Sequence, residues 1–273
     1  MFSVVVPLYN KELSIRNTIQ SVLNQSYQNF EIIVVNDGST DNSLKTISEI
    51  QDSRIRVVNQ ENQGVSAARN SGIKESKYEW VAFLDGDDLW ERDHLEEIIK
   101  MIDIFPNEKV YVTSFEYSDK RKMFKHKRNS SIFKIENYFL EAIKESLIWT
   151  SIVVVHKSCF EKVGFFNKQL NRGEDLDLWS RLARVYKVVK SSKVTAVYRV
   201  EAENRSYLSF DIMKSRVFMY DFSEATSLDE RIYYEDQIIK ALRGFIVKRS
   251  FKNFFLLFKK HLKNISIIKL LKI

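Results

Sequence analysis

The stretch that most constrains this chain is WVAFLDGDDLW, residues 80–90. Its first five residues are apolar and precede a polar turn, a pattern typical of a strand buried on both faces. Three carboxylates follow within four positions, at Asp85, Asp87 and Asp88. Ligands of open α/β sheets bind beyond the carboxyl ends of the strands. Carboxylates packed this closely repel one another unless a cation or solvent separates them.

Two interpretations of this stretch are open. Mg²⁺ is usually held by one or two carboxylates together with substrate phosphates, so the turn is half of a metal site that a phosphate ligand completes. Alternatively, it is a solvated acidic turn that caps the following helix. The rest of the chain separates these interpretations.

Strand and helix patterns alternate along the first half of the chain. Strands are predicted at 2–7, 30–36, 55–59 and 80–85, with helical spacing of apolar residues at 11–25, 42–51, 65–74 and 92–104. This alternation predicts a parallel sheet with right-handed crossovers. In the less regular second half, strands are predicted at 109–117, 122–126, 151–156 and 187–199, helices at 135–146, 157–163 and 173–186, and only helix from about 208. We therefore expect an α/β fold with a mostly parallel sheet flanked by helices and a C-terminal helical extension.

Several classes of protein are excluded by what the sequence lacks. Cys159 is the only cysteine, so an internal disulfide is impossible and a reducing compartment is expected. The N-terminal run MFSVVVPLYN contains no basic region and only a short apolar stretch, which favours a first strand over a signal peptide. The seven glycines form neither GxGxxG nor GxxxxGK[ST], which argues against a dinucleotide-dependent dehydrogenase and a P-loop NTPase.

The net charge of +7 is unevenly distributed. No acidic residue follows Asp236, whereas ten lysines and arginines do. The first 236 residues therefore carry 33 basic and 36 acidic side chains, a net charge of −3. The high isoelectric point belongs to the tail, so it does not indicate a nucleic-acid-binding core, and we expect no nucleic acid among the partners.

Five motifs together resemble family 2 glycosyltransferases of the GT-A fold. They are VVVPLYNKE (4–12), VVNDGSTD (34–41), NQGVSAARN (62–70), FLDGDDLW (83–90) and GEDLDLWSRL (173–182). The resemblance covers about residues 1–200 and implies a Rossmann-like GT-A catalytic domain over 1–205. Residues 1–105 would form the nucleotide-sugar-binding half and 106–205 the acceptor-binding half, with a basic, amphipathic helical extension over 206–273.

The resemblance also implies roles for residues at the strand ends. Tyr9 can stack on a nucleotide base, and the carboxylate of Asp37 can accept a hydrogen bond from a base N–H. Arg69 is placed against the base or the diphosphate, while Glu12 lines the same pocket or only stabilises the first turn of a helix. The residues assigned to the nucleotide-sugar site are Pro7, Tyr9, Glu12, Asp37, Arg69, Asp85 and Gly86.

The acidic residues receive separate roles from the resemblance. Asp85 contacts the ribose and Asp87 binds Mn²⁺ or Mg²⁺, which stabilises the departing nucleoside diphosphate as a Lewis acid. Asp88 either supports the metal ligands from behind without binding the metal itself, or it is a helix N-cap. Asp175 matches the catalytic base that takes the proton of the acceptor hydroxyl in an inverting transfer. Glu174 and Trp149 are assigned to the acceptor.

Two features depart from a simple assignment. Helical geometry turns Asp177 about 200° away from Asp175, so the two cannot share one role. In many family members a histidine shortly after a Tyr-Arg pair completes the metal site, but none follows Tyr198-Arg199 here. Glu201, Glu203 or water could replace it.

The C-terminal tail has apolar residues at helical spacing, with lysines over much of the remainder. This pattern predicts an interfacial helix on an anionic membrane, or else a packed helix with a solvated basic face.

From these observations we expect a cytoplasmic, peripherally membrane-bound, inverting glycosyltransferase of polysaccharide synthesis. It would use a nucleotide-sugar donor, with UDP-sugar as the expected one, and a glycan or lipid-linked acceptor. The alternatives are a sugar-nucleotide pyrophosphorylase, for which VVVPLYNKE lacks the expected glycine-rich phosphate loop, and a GT-A scaffold without catalysis.

Overall fold

Nine strands form one sheet in the computed structural model, which describes residues 1–204 and 211–271. They are β1 (Phe2–Leu8), β2 (Phe30–Asp37), β3 (Ile55–Gln60), β4 (Trp80–Phe83), β5 (Leu89–Trp90), β6 (Val110–Tyr117), β7 (Ile132–Lys134), β8 (Val153–His156) and β9 (Val188–Tyr198). The helices are α1 (Ile15–Leu23), α2 (Ser43–Ser48), α3 (Val65–Glu75), α4 (His94–Ile104), α5 (Tyr138–Ala142), α6 (Ser158–Val163), α7 (Glu174–Ala183), α8 (Arg216–Met219), α9 (Leu228–Val247), α10 (Phe251–His261) and α11 (Ile267–Leu271).

The strand order is β3-β2-β1-β4-β8-β6-β9-β5, and β7 pairs with β9. The first four strands are parallel, as the sequence predicts. Beyond β4 the sheet is mixed, because β8 runs antiparallel to both β4 and β6, while β6 and β9 are parallel. The expected α/β fold, with a sheet flanked by helices, is confirmed, and its parallel part comprises the first four strands.

Burial on both faces explains why β1 and β2 are central. All eight residues of β2 are buried, and six of the seven in β1. Helix α3 covers one face with Ala68 against Ile33 and Val35, while α1 packs Ile15 and Ile19 into the larger core. The carboxyl ends of β1, β2 and β4 therefore meet at one edge of the sheet, where the sequence motifs end.

Two details of the secondary structure were predicted wrongly. Residues 122–126 form no strand, because this basic segment is largely exposed and does not pair with the sheet. The strand in this part of the chain lies further along, at β7, where it pairs antiparallel with β9. The expected helix over 135–146 is shortened to α5. The expected domain boundary near residue 205 falls outside the described residues.

The C-terminal helices pack on the rest of the molecule by one face. Tyr233, Tyr234, Ile238 and Leu242 of α9 are buried in the same core as the sheet. Helix α10 packs on α8 and α9. None of the described helices combines the length and the apolar character needed to cross a bilayer.

Candidate active site

The turn after β4 carries the three clustered carboxylates. The backbone N–H of Leu84 donates to the carbonyl of Val5 at 3.1 Å, which extends the pairing of β1 and β4. Gly86 is buried, and a Cβ at this position would lie 2.9 Å from the carbonyl oxygen of Pro7. The turn therefore lies directly against the end of β1, and only glycine permits this approach.

Arg69 joins this turn to helix α7. Its buried guanidinium donates to Asp85 at 2.7 Å and to Glu174 at 3.0 Å. Asp85 is held from its other side, since its backbone N–H donates to the hydroxyl of Ser151 at 3.1 Å. The structure thus brings together three residues from three separate motifs, two that the sequence assigned to the nucleotide-sugar site and one, Glu174, that it assigned to the acceptor.

Asp175 lies beside Glu174 in the first turn of α7. The helix follows Gly173, whose φ of 74° is in the left-handed region that favours glycine. Burial, followed by the charge of Glu174, raises the pKa of Asp175 to about 7, while the nearby Arg69 opposes this rise. A carboxyl group with a pKa near neutrality can accept a proton at the working pH and release it again.

Asp177 has a different role from Asp175. Its carboxylate accepts from Arg181 at 2.7 Å and is paired with Arg216 at 3.0 Å. These contacts join α7 to α8, away from the carboxylates of the turn. The structure therefore agrees with the expectation from helical geometry that Asp177 does not share the role of Asp175.

Asp87 is held by a lysine that the sequence analysis did not assign. The Nζ of Lys11 lies 2.7 Å from Asp87 Oδ2 and also donates to the backbone carbonyls of Glu203 and Asn204. Both side chains of the ion pair are mostly buried. The segments that follow β1 and β9 therefore meet at Asp87, in the turn formed by residues 85–87, called the DGD turn below.

Asp88 is buried behind the turn. It accepts hydrogen bonds from Ser151 Oγ at 2.7 Å and from the backbone N–H of Arg199 at 3.2 Å. Burial, together with the charges of Asp87 and Asp85, raises its pKa well above the usual range. The alternative that Asp88 caps a helix is wrong, because α4 begins at His94, beyond strand β5.

The carboxylates of this turn supply part of the oxygen ligand set that a divalent cation needs. Asp87 already attracts one cationic group, and the repulsion among the three aspartates falls when a cation lies between them. Within residues 1–204 and 211–271, no group of three His, Cys, Asp or Glu side chains is placed to hold a metal. Phosphate and water oxygens would therefore complete the ligand set around Asp87.

Glu201 and Glu203, the two residues that could replace the absent histidine of the metal site, have other partners in the structure. Glu203 accepts from the backbone N–H groups of Leu13 and Ser14, at 3.1 Å and 3.0 Å, at the start of α1. Glu201 is exposed and accepts from Ser118 Oγ at 2.6 Å. The segment 199–204 is thus tied to the sheet edge through its carboxylates.

The expected nucleotide-binding residues line the same edge of the sheet. Asp37 is buried and accepts from the backbone N–H groups of Gln63 and Gly64, at 2.9 Å and 2.8 Å, so it fixes the loop before α3. Glu12 accepts from the backbone N–H of Asn42 at 2.8 Å. Tyr9 has an exposed ring beside this loop cluster, where it is free to stack.

Trp149 belongs to an aromatic cluster beside the carboxylate turn. Its ring centroid lies 4.6 Å from that of Phe115 and 4.8 Å from that of Tyr198. Two residues later, Ser151 contacts both Asp85 and Asp88. Trp149, the expected acceptor residue, therefore lies two residues from a side chain that contacts the DGD turn.

Sequence reasoning missed Lys11 and Ser151. A basic residue three positions after the end of the first strand was a usable signal for Lys11, because that position is near the carboxyl edge of the sheet. No comparable signal marked Ser151, whose place depends on the antiparallel pairing of β8 with β4.

Residues 3–164, more than half of the chain, match the model of the family described as glycosyl transferase family 2. An uncharacterised glycosyltransferase of Rickettsia bellii is 32% identical over 212 residues, which cover 76% of this chain and 30% of that protein. The glycosyltransferase GlyG of Streptococcus pneumoniae is 28% identical over 245 residues, covering 83% of this chain and 80% of that one. The chain spans between 30% and 64% of the length of the Rickettsia relatives from R. bellii, R. felis and R. typhi.

Solved structures with the same fold include residues 1–349 of TarS from S. aureus in complex with UDP-GlcNAc. The TM-score is 0.68, the sequence identity is 16%, and the match covers 97% of this chain and 93% of that one. At this level of identity the likeness establishes the fold.

Proposed function

The chain belongs to glycosyl transferase family 2, which confirms the enzyme class expected from its motifs, and we propose that it is an inverting, UDP-sugar-dependent transferase. Its acceptor is a glycan or a lipid-linked saccharide in polysaccharide synthesis. The hydroxyl oxygen of the acceptor forms a bond to C1 of the sugar as the bond from C1 to the β-phosphate breaks. The diphosphate leaves with that electron pair, and Asp175 receives the hydroxyl proton.

The observation that supports this reaction most strongly is the placement of Asp175. It is joined to the DGD turn through Glu174 and Arg69, and its pKa is raised to about 7 by burial and by Glu174. A general base must be largely ionised at the working pH and still basic enough to accept a proton. The other aspartate in this helix turn, Asp177, forms ion pairs with Arg181 and Arg216, which leaves Asp175 as the candidate base.

On the donor side, we assign the base to Tyr9, Asp37 and Glu12. The turn residues Asp85 and Gly86, together with Pro7 and Arg69, border the ribose and the diphosphate. Asp87 would hold Mn²⁺ or Mg²⁺, which would supply Lewis-acid stabilisation of the leaving diphosphate. Trp149 and Glu174 border the acceptor.

A screen of nucleotide-sugars tests the donor assignment. Thermal unfolding of the chain is measured with UDP-, GDP-, TDP- and CMP-sugars, each with Mg²⁺ and with EDTA. We expect the UDP-sugars to raise the midpoint most, because a ligand that binds only the folded state stabilises it. Equal shifts with all nucleotides would contradict the UDP assignment. Release of nucleoside diphosphate from the donor would exclude a scaffold without catalysis. Formation of nucleoside triphosphate and sugar 1-phosphate from the donor and added pyrophosphate would instead support a pyrophosphorylase.

We also propose that the enzyme acts at the cytoplasmic face of a membrane, held there by its C-terminal helices. Helix α10 buries Leu257 and His261 but leaves Phe251 and Phe255 exposed, the latter by 65%. The same helix carries Lys252, Lys259 and Lys260, all of which are exposed. Anionic lipid attracts such residues by about 1 kcal/mol each near the surface, and exposed aromatic side chains add apolar burial.

Sedimentation with anionic vesicles tests the membrane proposal. The full chain should pellet with them at low salt and be released near 1 M salt, because salt screens the charges. Replacing Phe251 and Phe255 by Gln should weaken binding, whereas Leu228→Gln, an exposed apolar residue at the start of α9, should not. If the full chain ignores the vesicles, the tail is only a packed helical extension.

A further inference from the structure

A cavity of about 200 Å³ lies beside the aromatic cluster of Trp149. Its walls come from the end of β6, from the segment 123–125 and from the segment 144–146, with Lys190 of β9 at one side. The sequence analysis did not assign this cavity or the basic segment that borders it. Its volume is sufficient for a single sugar unit or a phosphate group.

The polar lining of the cavity is predominantly cationic. Lys125, Lys144 and Lys190 border it, with Glu145 as the acidic residue of the lining. Glu145 is already engaged, since it accepts from the backbone N–H of His126 at 2.8 Å and lies 3.9 Å from the Lys190 ammonium. Its negative charge is therefore largely balanced before any ligand enters.

Lys190 is an unusual residue for this position because its side chain is almost fully buried. Its ammonium donates to the backbone carbonyls of Leu147 and Thr113, at 3.0 Å and 3.2 Å. Burial lowers its pKa to about 8, so the group is still mainly charged at neutral pH. Lys190 and Glu145 largely offset each other, so the net positive charge of the lining comes from Lys125 and Lys144.

The apolar walls are aromatic and lead toward the active site. Phe115, Tyr117 and Phe124 line the cavity, and Phe115 also contacts Trp149. Rings of this kind present flat faces to which the C–H groups of a sugar can pack. Cations beside aromatic faces are therefore suited to a saccharide that carries a negative charge.

A second cavity, of about 240 Å³, adjoins the first one. The two share Lys144, Glu145 and Ser146, and the second is also lined by Leu176. Leu176 directly follows Asp175 in the chain. Residues 144–146 thus border both cavities, and the second cavity also borders α7, the helix that carries Asp175.

We propose that the first cavity binds an anionic group, a phosphate or a carboxylate, carried by the acceptor. This inference rests on the proposed function for the identity of the ligand as an acceptor. It makes the charge of the acceptor a specificity determinant, which the exposed ammonium groups of Lys125 and Lys144 would recognise.

Ligand-detected NMR titration tests the proposal with three probes: glucose 6-phosphate, glucuronate and glucose. The full chain is first saturated with UDP and Mg²⁺, so that the phosphate probe cannot occupy the donor site. We expect at least one anionic probe to bind tenfold or more tightly than glucose. The two anionic probes distinguish a phosphate-bearing acceptor from a carboxylate-bearing one.

Matched lysine variants locate the binding. The double variant Lys125→Gln, Lys144→Gln removes two exposed charges, so it leaves the core intact, and it should weaken the anionic probe tenfold or more. Lys122→Gln removes an exposed charge from the same basic segment outside the cavity and should change the affinity less than twofold. Equal binding of all three probes, or a double variant that binds like the wild type, overturns the proposal.

The outcome is separable from that of the proposed function. UDP binding is measured on the same samples before the probes are added. If UDP fails to bind but the anionic probe still binds through Lys125 and Lys144, the anion site stands and the donor assignment falls. If UDP binds but no probe responds to charge, the donor assignment stands and the acceptor proposal falls.

Discussion

Replacing Asp175 by Asn should make the protein more stable at alkaline pH while removing its proposed activity. The pKa of Asp175 is raised from 3.8 to about 7, so ionisation of this group costs free energy in the folded state. Because the folded state then binds more protons than the unfolded state, the stability of the wild type falls as pH rises from about 4 to about 7. Above about pH 7 the cost is fully present.

The size of the effect follows from the shift. The rise from 3.8 to about 7 corresponds to about 4 kcal/mol, which is an upper bound because solvent reaches part of the Asp175 side chain and screens its charge. We expect Asp175→Asn to raise the free energy of unfolding by about 1–3 kcal/mol at pH 8 and by about zero at pH 4. The hydrogen bond from Leu176 N–H to Oδ1 is kept, since the asparagine amide also has this oxygen.

Urea unfolding of both proteins at pH 4, 6 and 8 measures this difference. Asp177→Asn is the matched control, two residues away in the same helix turn. It breaks ion pairs with Arg181 and Arg216, so it should destabilise the protein by about 3 kcal/mol at pH 8. The reasoning is refuted if Asp175→Asn lowers the stability at pH 8, or if its effect is the same at all three pH values.

Three further changes test other contacts of the site. Arg69→Gln should lower the free energy of unfolding by about 3 kcal/mol, because buried ion pairs are broken. It should also move the acidic limb of the pH–rate profile to higher pH, because Arg69 lowers the pKa of Asp175. Arg56→Gln, which removes a more exposed ion-pair residue, should have neither effect. Asp87→Asn should reduce UDP affinity in Mg²⁺ to that of the wild type in EDTA, measured by calorimetry, and unchanged affinity would contradict the metal assignment. Gly86→Ala should destabilise the fold by about 1–3 kcal/mol, seen as a lower urea midpoint, because the added Cβ would lie 2.9 Å from a backbone oxygen; an unchanged midpoint would refute this contact.

The parallel half of the fold was predictable because its rules are local. Four apolar runs separated by helical spacing require parallel pairing, and parallel strands end at the same edge of the sheet. Asp37, Asp85 and Gly86 each end or follow one of those strands, so their convergence followed from the pattern. The order of the later strands could not be predicted from the pattern. β8 lies between β4 and β6, and β9 between β6 and β5, through long-range pairing that no turn motif indicates.

The partners of the site residues depend on contacts that no spacing reveals. Arg69 and Glu174 come from distant helices, and their ion pair exists only once α3 and α7 are packed on the same core. The contact of Lys11 with Asp87 likewise depends on the turn lying against β1. In the tail, periodicity identified the apolar residues but not which of them, such as Leu257, the fold would cover.

The most direct test of the account compares binding and transfer in Asp175→Asn. UDP affinity is measured by calorimetry in the presence of Mg²⁺, and turnover is measured as transfer from the UDP-sugar selected in the donor screen. Loss of a general base alone lowers the rate by about 100-fold or more and leaves the donor contacts intact. We therefore predict unchanged UDP affinity with at least that loss of turnover. A variant that keeps more than about a tenth of the wild-type turnover would contradict Asp175 as the base.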